Sequence, residues 1–143
     1  MTDNNQKGAL TELQCELFFL SRKILLSKPV IADSRYDYIM DFNGKLYKIQ
    51  CKSSKLKDDD RIAFYAEMTN IRNNVKSYYQ KDDVDFFYTY YNGVSYLIPF
   101  DKTSKRENTL RFSSKTPNNP TIKWAKDFKA EKILQQLVQE EVV

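Results

Sequence analysis

An Asn-Gly dipeptide at residues 43 and 44 separates two short runs of residues, YDYIMDF before it and KLYKIQC after it. This pattern is the strongest short-range signal for a β-hairpin with a two-residue turn, and such a turn sets the register of the strands that it joins. The predicted register places these residues opposite one another: Phe42 and Lys45, Asp41 and Leu46, Met40 and Tyr47, Ile39 and Lys48, Tyr38 and Ile49, Asp37 and Gln50.

The two faces of the predicted hairpin differ in chemistry, because opposed residues share a face and successive residues alternate between faces. One face is predicted to be core and carries Tyr36, Tyr38, Met40, Phe42, Tyr47, Ile49 and Cys51. The other face carries Asp37, Lys48, Gln50 and Lys52, together with Ile39 and Leu46. We therefore expect a carboxylate, an amide and an ammonium group to lie close together on one face.

The segments around the hairpin indicate helices and further strands. A helix over residues 7 to about 25 is predicted from leucines spaced by three and four, and Lys28-Pro29 should end it before a short extended segment at 30–32. A weaker helical pattern covers 62 to about 80. Residues 84–91 and 94–98 read as a second hairpin around Asn92-Gly93, so the intervening helix implies that the two hairpins meet through parallel strands.

The chain has 143 residues, which predicts a single domain with a core over about 7–100 and a C-terminal extension over about 101–143. The extension is expected to end in a helix that begins near Trp124 and has an apolar stripe through Phe128, Ile133, Leu134, Leu137 and Val138. Neither a secretory signal nor a long apolar segment is recognisable, so we expect a cytoplasmic protein that does not span a membrane.

The amino-acid composition limits the catalytic groups and metal sites that this chain can form. The sequence contains no histidine, which excludes catalysis by Ser/His or Cys/His pairs and zinc sites of mixed Cys and His type. Its two cysteines stand apart without a metal-binding spacing and are expected to be reduced, partly buried thiols. The net charge of +4 permits an acidic partner such as nucleic acid without requiring one.

The polar face of the hairpin suits phosphodiester hydrolysis. Such a reaction uses Mg²⁺ to polarise the phosphate and activate water, and Mg²⁺ takes one or two carboxylates with neutral oxygens and water. Asp37, the Gln50 amide oxygen and Glu12 of the first helix could supply these ligands, while Lys52 could orient or deprotonate the water or stabilise the transition-state charge. The alternative is that these residues form an ordinary solvated face. It is weakened by the expected central position of the hairpin, where both faces should be covered.

Five short segments, read in order, carry a family resemblance. They are Lys7-Gly8 with Glu12, Arg35-Tyr36-Asp37, Gln50-Cys51-Lys52, Val84-Asp85-Phe86-Phe87 and Tyr96-Leu97-Ile98-Pro99, and Leu110-Arg111-Phe112 with Ile122-Lys123-Trp124-Ala125 also fit. The chain resembles the PD-(D/E)XK nuclease superfamily and, within it, the group I intron-encoded homing endonucleases known from cyanobacterial transfer-RNA introns. The resemblance implies an α/β fold with a restriction-endonuclease-like core, a mixed central sheet flanked by helices in the order α-β-β-β-α-β.

The resemblance also implies roles for individual residues. Asp37 would be the metal-binding acid, Gln50 the second ligand, Lys52 the catalytic lysine and Glu12 the acid on the helix, with Mg²⁺ as cofactor and Mn²⁺ able to substitute. Gln50 departs from the usual Asp or Glu, a change that the homing branch tolerates. Glu16 lies one turn after Glu12 and is its rival, and the spacing from Lys7-Gly8 favours Glu12.

The implied activity is site-specific cleavage of double-stranded DNA at a long target. A double-strand break needs two active sites, so the resemblance implies a homo-oligomer, with a tetramer favoured and a dimer possible. Candidate DNA contacts come from basic residues near the expected active face: Lys48, Lys55, Lys57, Arg61, Arg72, Lys76, Arg106, Arg111, Lys115 and Lys123. The alternatives are a Holliday junction resolvase, a restriction-type endonuclease and a catalytically inactive DNA-binding module.

Overall fold

The computed structural model describes residues 3–69 and 76–142. Helix α1 spans Asp3–Ser21 and helix α2 spans Ala130–Val142. The strands of these two ranges are β1 (Leu25–Ser27), β2 (Tyr38–Phe42), β3 (Lys45–Cys51), β4 (Lys55–Asp58), β5 (Arg61–Tyr65), β6 (Glu67–Thr69), β7 (Lys76–Tyr78), β8 (Phe86–Tyr91), β9 (Val94–Pro99) and β10 (Glu107–Arg111). Short 3₁₀ helices cover Phe100–Lys102 and Ala125–Phe128. None of the helices described is long and apolar enough to cross a membrane.

A mixed sheet of five strands in the order β1-β2-β3-β8-β9 forms the centre of the molecule. Strands β3 and β8 are parallel, and the other neighbours in this sheet are antiparallel. The two sequence-predicted hairpins, β2-β3 and β8-β9, therefore meet through their parallel strands as expected. The smaller antiparallel sheets have the orders β10-β5-β4 and β6-β7.

The register predicted for the first hairpin is confirmed for all five pairs from Phe42 and Lys45 to Tyr38 and Ile49. Asn43 has a φ angle of 51° and Gly44 one of 79°, which is the left-handed backbone that a two-residue type I′ turn requires. The second hairpin repeats this geometry, with φ angles of 49° at Asn92 and 84° at Gly93. Both turns therefore match the twist of the strands that they join.

Two hydrophobic clusters cover the two faces of the central sheet. The first cluster packs Tyr38, Met40, Ile49, Cys51, Phe86, Tyr88 and Leu97 of the sheet against Cys15, Phe18 and Phe19 of α1 and Ala130, Ile133 and Leu134 of α2. The second cluster packs Phe87, Tyr96 and Ile98 against Ile62, Phe64 and Leu110 of the β10-β5-β4 sheet. Both helices thus lie on one face, and a small antiparallel sheet covers part of the other.

Helix α1 buries a different face from the one that its leucines predicted. The buried side chains are Thr11, Cys15, Phe18 and Phe19, whereas Leu10, Leu13, Leu17 and Leu20 are all more than half exposed. Both sets recur at helical spacing, so periodicity alone does not decide which one packs on the sheet. The aromatic set packs because it meets the aromatic side chains of the sheet: the rings of Phe19 and Tyr88 lie 6.3 Å apart.

The helix predicted over residues 62 to about 80 is wrong where the structure describes this segment. Residues 61–65, 67–69 and 76–78 are strands, and residues 70–75 lie outside the described part of the chain. Strand β5 pairs with β10 over five residue pairs, so a partner more than forty residues away overrides the weak local helical pattern. Within the described residues 62–69 and 76–80, strands therefore take the place of the second helix in the expected α-β-β-β-α-β order.

Several boundaries also differ from the sequence-based expectation. Helix α1 ends at Ser21, and the extended segment after it is β1 at 25–27, not residues 30–32. Strand β10 comes from the predicted extension and joins the small sheet beside β5. Trp124 precedes a 3₁₀ helix, so α2 begins only at Ala130. Tyr36, expected beside Tyr38 in the core, packs instead against the second cluster.

Candidate active site

One end of the β2-β3 hairpin brings the predicted site residues together. Because β2 and β3 are antiparallel, the start of β2 and the end of β3 lie at the same end of the sheet. Asp37 comes just before β2, and its backbone N–H donates to the carbonyl of Ile49 at 2.9 Å. The backbone N–H of Cys51 donates in turn to Oδ2 of Asp37, also at 2.9 Å. These two bonds hold the Asp37 carboxylate against the end of β3.

Gln50 contributes a buried oxygen. It lies opposite Phe87 in the parallel β3-β8 pair, and its side chain is half-buried. Its Oε1 atom is buried and accepts no hydrogen bond from the described part of the chain. A buried amide oxygen without a partner costs free energy, since it has given up its hydrogen bonds to water. This cost is removed if a ligand or cation binds the oxygen.

Lys52 follows β3 and points into the same region. Its Nζ atom donates to the backbone carbonyl of Glu67 at 3.1 Å and lies 5.0 Å from the centre of the Tyr79 ring. The backbone N–H of Lys52 donates to the carbonyl of Tyr88 at 2.9 Å, which fixes the residue at the end of the parallel ladder. The ammonium group is thus held between a carbonyl oxygen and an aromatic face.

Helix α1 is tied to this end of the sheet through its own hydroxyl and carboxylate groups. Thr11 Oγ1 and Ser53 Oγ are 2.9 Å apart, which joins the residue before Glu12 to the residue after Lys52. Glu16 accepts a hydrogen bond of 2.6 Å from the Tyr38 hydroxyl and lies 3.3 Å from Lys28 Nζ. Glu16 is therefore engaged in holding α1 to the sheet, whereas the Glu12 side chain makes no hydrogen bond or ion pair with the described residues.

Burial and neighbouring charges shift the pKa values of Asp37, Glu12 and Lys52. Burial raises the pKa of Asp37, and the Cys51 N–H and the Lys52 charge oppose that rise. Burial also raises the pKa of Glu12, with a further rise from the Asp37 charge. Burial lowers the pKa of Lys52, against the charges of Asp37 and Glu67. Since burial is the largest cause in each case, all three groups carry their charges at a cost, and a bound cation would favour the charged form of the two acids.

Comparisons with known proteins place this geometry in a family. A family model described as PD-(D/E)XK endonuclease matches residues 2–131. The chain belongs to the PD-(D/E)XK endonuclease family. The solved structure of a bacterial homing endonuclease, I-Ssp6803I, is 25% identical, with a TM-score of 0.76 over 98% of this chain and 99% of that chain. No curated protein matches the chain.

The family assignment makes this chain an endonuclease and gives the cluster around Asp37 a chemical context, because PD-(D/E)XK nucleases generally use divalent metals. Among the described residues, no three His, Cys, Asp or Glu side chains come together in a metal-binding group. The candidate donor set in this endonuclease has two carboxylates, Asp37 and Glu12, and the amide oxygen of Gln50. Such a set of oxygen donors fits a hard cation such as Mg²⁺, which keeps several water ligands. The unpartnered Gln50 Oε1 is the structural observation that supports this fit.

Sequence reasoning missed two residues that contact Lys52 in this PD-(D/E)XK endonuclease. Tyr79 is buried, and its ring faces Lys52 on one side and packs edge-on against Phe87 at 5.2 Å. Glu67 supplies the carbonyl that accepts from Lys52, and its carboxylate lies 3.4 Å from Arg106. Both residues belong to the segment predicted as a helix, and no local pattern marks a contact over such sequence distances.

The candidate DNA-contacting residues of the endonuclease fall into different environments. Four are in ion pairs: Lys57 with Glu107, Arg61 with Asp58, Arg106 with Glu67 and Arg111 with Asp60. Lys48 Nζ donates to the carbonyl of Asp82 at 2.8 Å. Lys55 and Lys115 are exposed and Lys123 is half-buried. Arg72 and the side chain of Lys76 lie outside the described residues.

Three of these basic residues share one cavity. Arg61, Arg111 and Lys123 line an open space of about 200 Å³ together with hydroxyl side chains, including those of Thr109 and Thr121. Burial lowers the pKa of Lys123. The sequence does not show that these residues are neighbours. Arg61 and Arg111 lie opposite one another because β10 pairs with β5.

Proposed function

We propose that this protein is a divalent-metal-dependent endonuclease of the homing type, which cuts both strands of double-stranded DNA at a long specific site. The observation that carries the proposal is the buried Oε1 of Gln50, which accepts no hydrogen bond from the described residues. It belongs to the residue before Cys51, whose N–H fixes the carboxylate of Asp37, within a PD-(D/E)XK endonuclease. The similarity to a solved bacterial homing endonuclease over nearly the whole of both chains supports the homing type.

Asp37, Gln50 and Glu12 would hold the metal, with Mg²⁺ as the natural ion and Mn²⁺ as a substitute. When bound, the ion would polarise the scissile phosphate and lower the pKa of a water molecule. Asp37 is suited to hold it because the Cys51 N–H orients one carboxylate oxygen and leaves the other without a hydrogen bond from the described residues. Glu12 adds negative charge from α1, and the Asp37 charge contributes to the rise in its pKa after burial.

Lys52 would orient the attacking water and accept its proton. Its pKa is lowered by burial, so a larger fraction of the side chain is neutral near physiological pH than for an exposed lysine. The Glu67 carbonyl and the Tyr79 ring restrict the ammonium group to one position, which reduces the reorganisation needed during the reaction. The role of Lys52 therefore depends on residues outside the hairpin.

DNA would be bound through its phosphates by the basic residues described above. The cavity lined by Arg61, Arg111 and Lys123 could accept a backbone phosphate, since it combines cationic and hydroxyl donors. One chain carries one such candidate active site, and a double-strand break needs two. We therefore include a homo-oligomer in the proposal, with a tetramer favoured over a dimer.

The test is cleavage by the purified protein of a plasmid library with long random and genomic inserts in Mg²⁺ buffer, followed by sequencing of the cut ends. The inactivated variant is Asp37→Ala, and the matched control is Asp41→Ala, an exposed carboxylate in strand β2, which follows Asp37. Double-strand cuts at one long site by the wild type and by Asp41→Ala, but not by Asp37→Ala, are expected.

Cleavage of four-way junctions without cleavage of linear duplex would instead identify a junction resolvase. Failure to cut any substrate in Mg²⁺ or Mn²⁺, with salt-sensitive DNA binding retained, would identify an inactive binding module. Equal cleavage by Asp37→Ala and the wild type would show that the metal site lies elsewhere.

A further inference from the structure

Thr89 of β8 is a fully buried residue whose hydroxyl makes no hydrogen bond with the described residues. Its side chain is 0% exposed, and Oγ1 finds no partner within 3–69 and 76–142. A buried hydroxyl in this state destabilises the folded protein, because it has lost its hydrogen bonds to water. Valine has nearly the same shape, also favours strands and would avoid this cost. The hydroxyl therefore needs an explanation other than the packing of the sheet.

The pairing of the central sheet places Thr89 beside Lys52. Strands β3 and β8 pair in parallel up to Cys51 and Tyr88. The backbone N–H of Lys52 donates to the carbonyl of Tyr88 at 2.9 Å, which continues this register by one residue and sets Lys52 opposite Thr89. Opposed residues of neighbouring strands point to the same face, and the strands are about 5 Å apart. Thr89 thus lies on the face that carries Gln50 and Lys52.

Lys52 is the neighbour of Thr89 that carries a donor on a flexible side chain. The other neighbours on this face are Phe87 and Tyr91 of the same strand and Tyr96, which is opposite in β9. A phenylalanine ring has no hydrogen-bond donor, and the tyrosine hydroxyls sit at the far ends of rigid rings. The Lys52 amine is carried by four methylene groups and can turn its N–H groups toward an acceptor.

The contacts of the Lys52 amine leave room for a second acceptor. Nζ donates to the Glu67 carbonyl at 3.1 Å and lies 5.0 Å from the centre of the Tyr79 ring. A nitrogen held by one hydrogen bond can still rotate about it, so its other positions have no fixed direction. A second hydrogen bond would fix the nitrogen and direct its remaining position to one place. Such fixed orientation of a reacting group is a large part of enzymatic rate acceleration.

We propose that Thr89 is a positioning residue: its hydroxyl accepts a second hydrogen bond from Lys52 when the site holds DNA, and with the Glu67 carbonyl it directs the amine at the attacking water. The inference rests on the proposed function, since it names a further residue for the same reaction. It also explains why the buried oxygens of Gln50 and Thr89, which have no partner among the described residues, lie on one face around Lys52. Both would be used only in the loaded site, at a cost to the stability of the free protein.

The main test compares Thr89→Val, which removes the hydroxyl, with Thr89→Ser, which keeps it. In chelator, Thr89→Val should raise Tm by about 2 °C or more, because a buried hydroxyl without a partner is removed. Single-turnover cleavage of a plasmid that carries the site cut by the wild type should be slower by about tenfold or more. The protein concentration that gives half the maximal rate should not change, since Thr89 does not touch DNA. Thr89→Ser should cut at close to the wild-type rate.

A second comparison asks whether Thr89 acts through Lys52. If it does, adding Thr89→Val to Lys52→Met should not slow cleavage further, because the amine that Thr89 positions is already absent. The matched control is Ser95→Ala, since Ser95 is a buried hydroxyl of the same hairpin but lies 2.6 Å from the Tyr88 hydroxyl. Ser95→Ala should lower Tm and leave the cleavage rate close to that of the wild type.

An unchanged cleavage rate for Thr89→Val would overturn the inference. A Tm that does not rise would also overturn it, because the hydroxyl would then have a partner such as a buried water. Additive losses in the double variant would show that Thr89 does not act through Lys52. Each of these results counts against the inference alone, because the wild type still cuts DNA. A wild type that cuts no substrate would overturn the proposed function and, with it, the reaction for which Lys52 is positioned.

Discussion

The backbone N–H of Cys51 donates a hydrogen bond of 2.9 Å to Oδ2 of Asp37 and thereby couples the carboxylate to the register of the hairpin. Because the side-chain alternation has a period of two, a shift by one residue would move Asp37 and Gln50 to opposite faces. The Asn43-Gly44 turn prevents that shift by fixing the register. A turn at the far end of the hairpin thus determines whether a site can form.

Asp37→Asn should stabilise the metal-free protein at neutral pH. Burial raises the pKa of Asp37, so its contribution to stability is present below the unfolded-state pKa and is lost as the pH rises through the folded-state pKa. The neutral amide of Asn removes the cost of burying this charge. Each kcal/mol gained in the free energy of unfolding should raise Tm by about 2–4 °C. Thermal unfolding in chelator at pH 7 measures it, with Asp41→Asn as the control. A lower Tm for Asp37→Asn would show that its charge is stabilising.

Addition of Mg²⁺ or Mn²⁺ should make the wild type more stable than Asp37→Asn. A cation that binds only the folded state raises Tm, and the rise increases with the logarithm of its concentration relative to its Kd. The wild type and Asp41→Asn should gain stability in a metal titration, and Asp37→Asn should gain little. Equal gains in all three proteins would place the metal away from Asp37.

Lys52→Met should reduce the cleavage rate by about 10²-fold or more, because it removes the amine that the Glu67 carbonyl holds in place to accept the proton of the attacking water. In the wild type, burial lowers the pKa of Lys52, and the neutral fraction of this lysine increases as the pH rises. The cleavage rate should therefore increase with pH until the lysine is fully neutral. Lys52→Arg should also be inactive, since a guanidinium cannot accept the proton. A fully active Lys52→Arg would indicate that charge alone suffices.

Gln50→Glu should tighten metal binding by about tenfold, because a carboxylate holds Mg²⁺ more strongly than an amide oxygen does. The Mg²⁺ concentration that gives half-maximal cleavage measures the change. Gln50→Leu, which has similar volume and no oxygen, should raise that concentration and relieve the unpartnered buried oxygen. If neither variant alters the Mg²⁺ dependence, Gln50 is not a ligand.

Glu12→Gln should weaken metal-dependent cleavage by about 10–100-fold, whereas Glu16→Gln should change the rate little. The two residues lie one turn apart, but the pKa of Glu12 responds to Asp37, and Glu16 is bonded to Tyr38 and Lys28. Single-turnover rates at saturating DNA make the comparison, well below the Tm of both variants. A larger loss for Glu16→Gln would assign the helix acid to Glu16.

Tyr79→Leu should lower the cleavage rate and shift the pH–rate profile, because Lys52 loses the aromatic face 5.0 Å away. Tyr79→Phe keeps the ring and should retain both the rate and the profile. A purely structural role would reduce stability without moving the profile. If Tyr79→Phe matches Tyr79→Leu, the hydroxyl group is the part that matters.

Local sequence patterns predicted the parts of the fold that depend on neighbours in the chain. Asn43-Gly44 and Asn92-Gly93 identified both hairpins. Alternation predicted that Asp37, Gln50 and Lys52 share one face of the first hairpin. The helix predicted over 62 to about 80 failed because β5 finds its partner in β10, far along the chain. Tyr79 and Glu67 were missed for the same reason, since their contacts with Lys52 form only when β6 and β7 fold over the site.

The sequence by itself determined the hairpin register, the absence of histidine chemistry and the positions of the residues that could bind a metal, because these follow from residue type and spacing. Tertiary structure decided which face of α1 is buried, because two stripes of helical spacing compete and only the aromatic one matches the sheet. It also decided which oxygen is left buried and unpartnered, since burial depends on every element packed around Gln50.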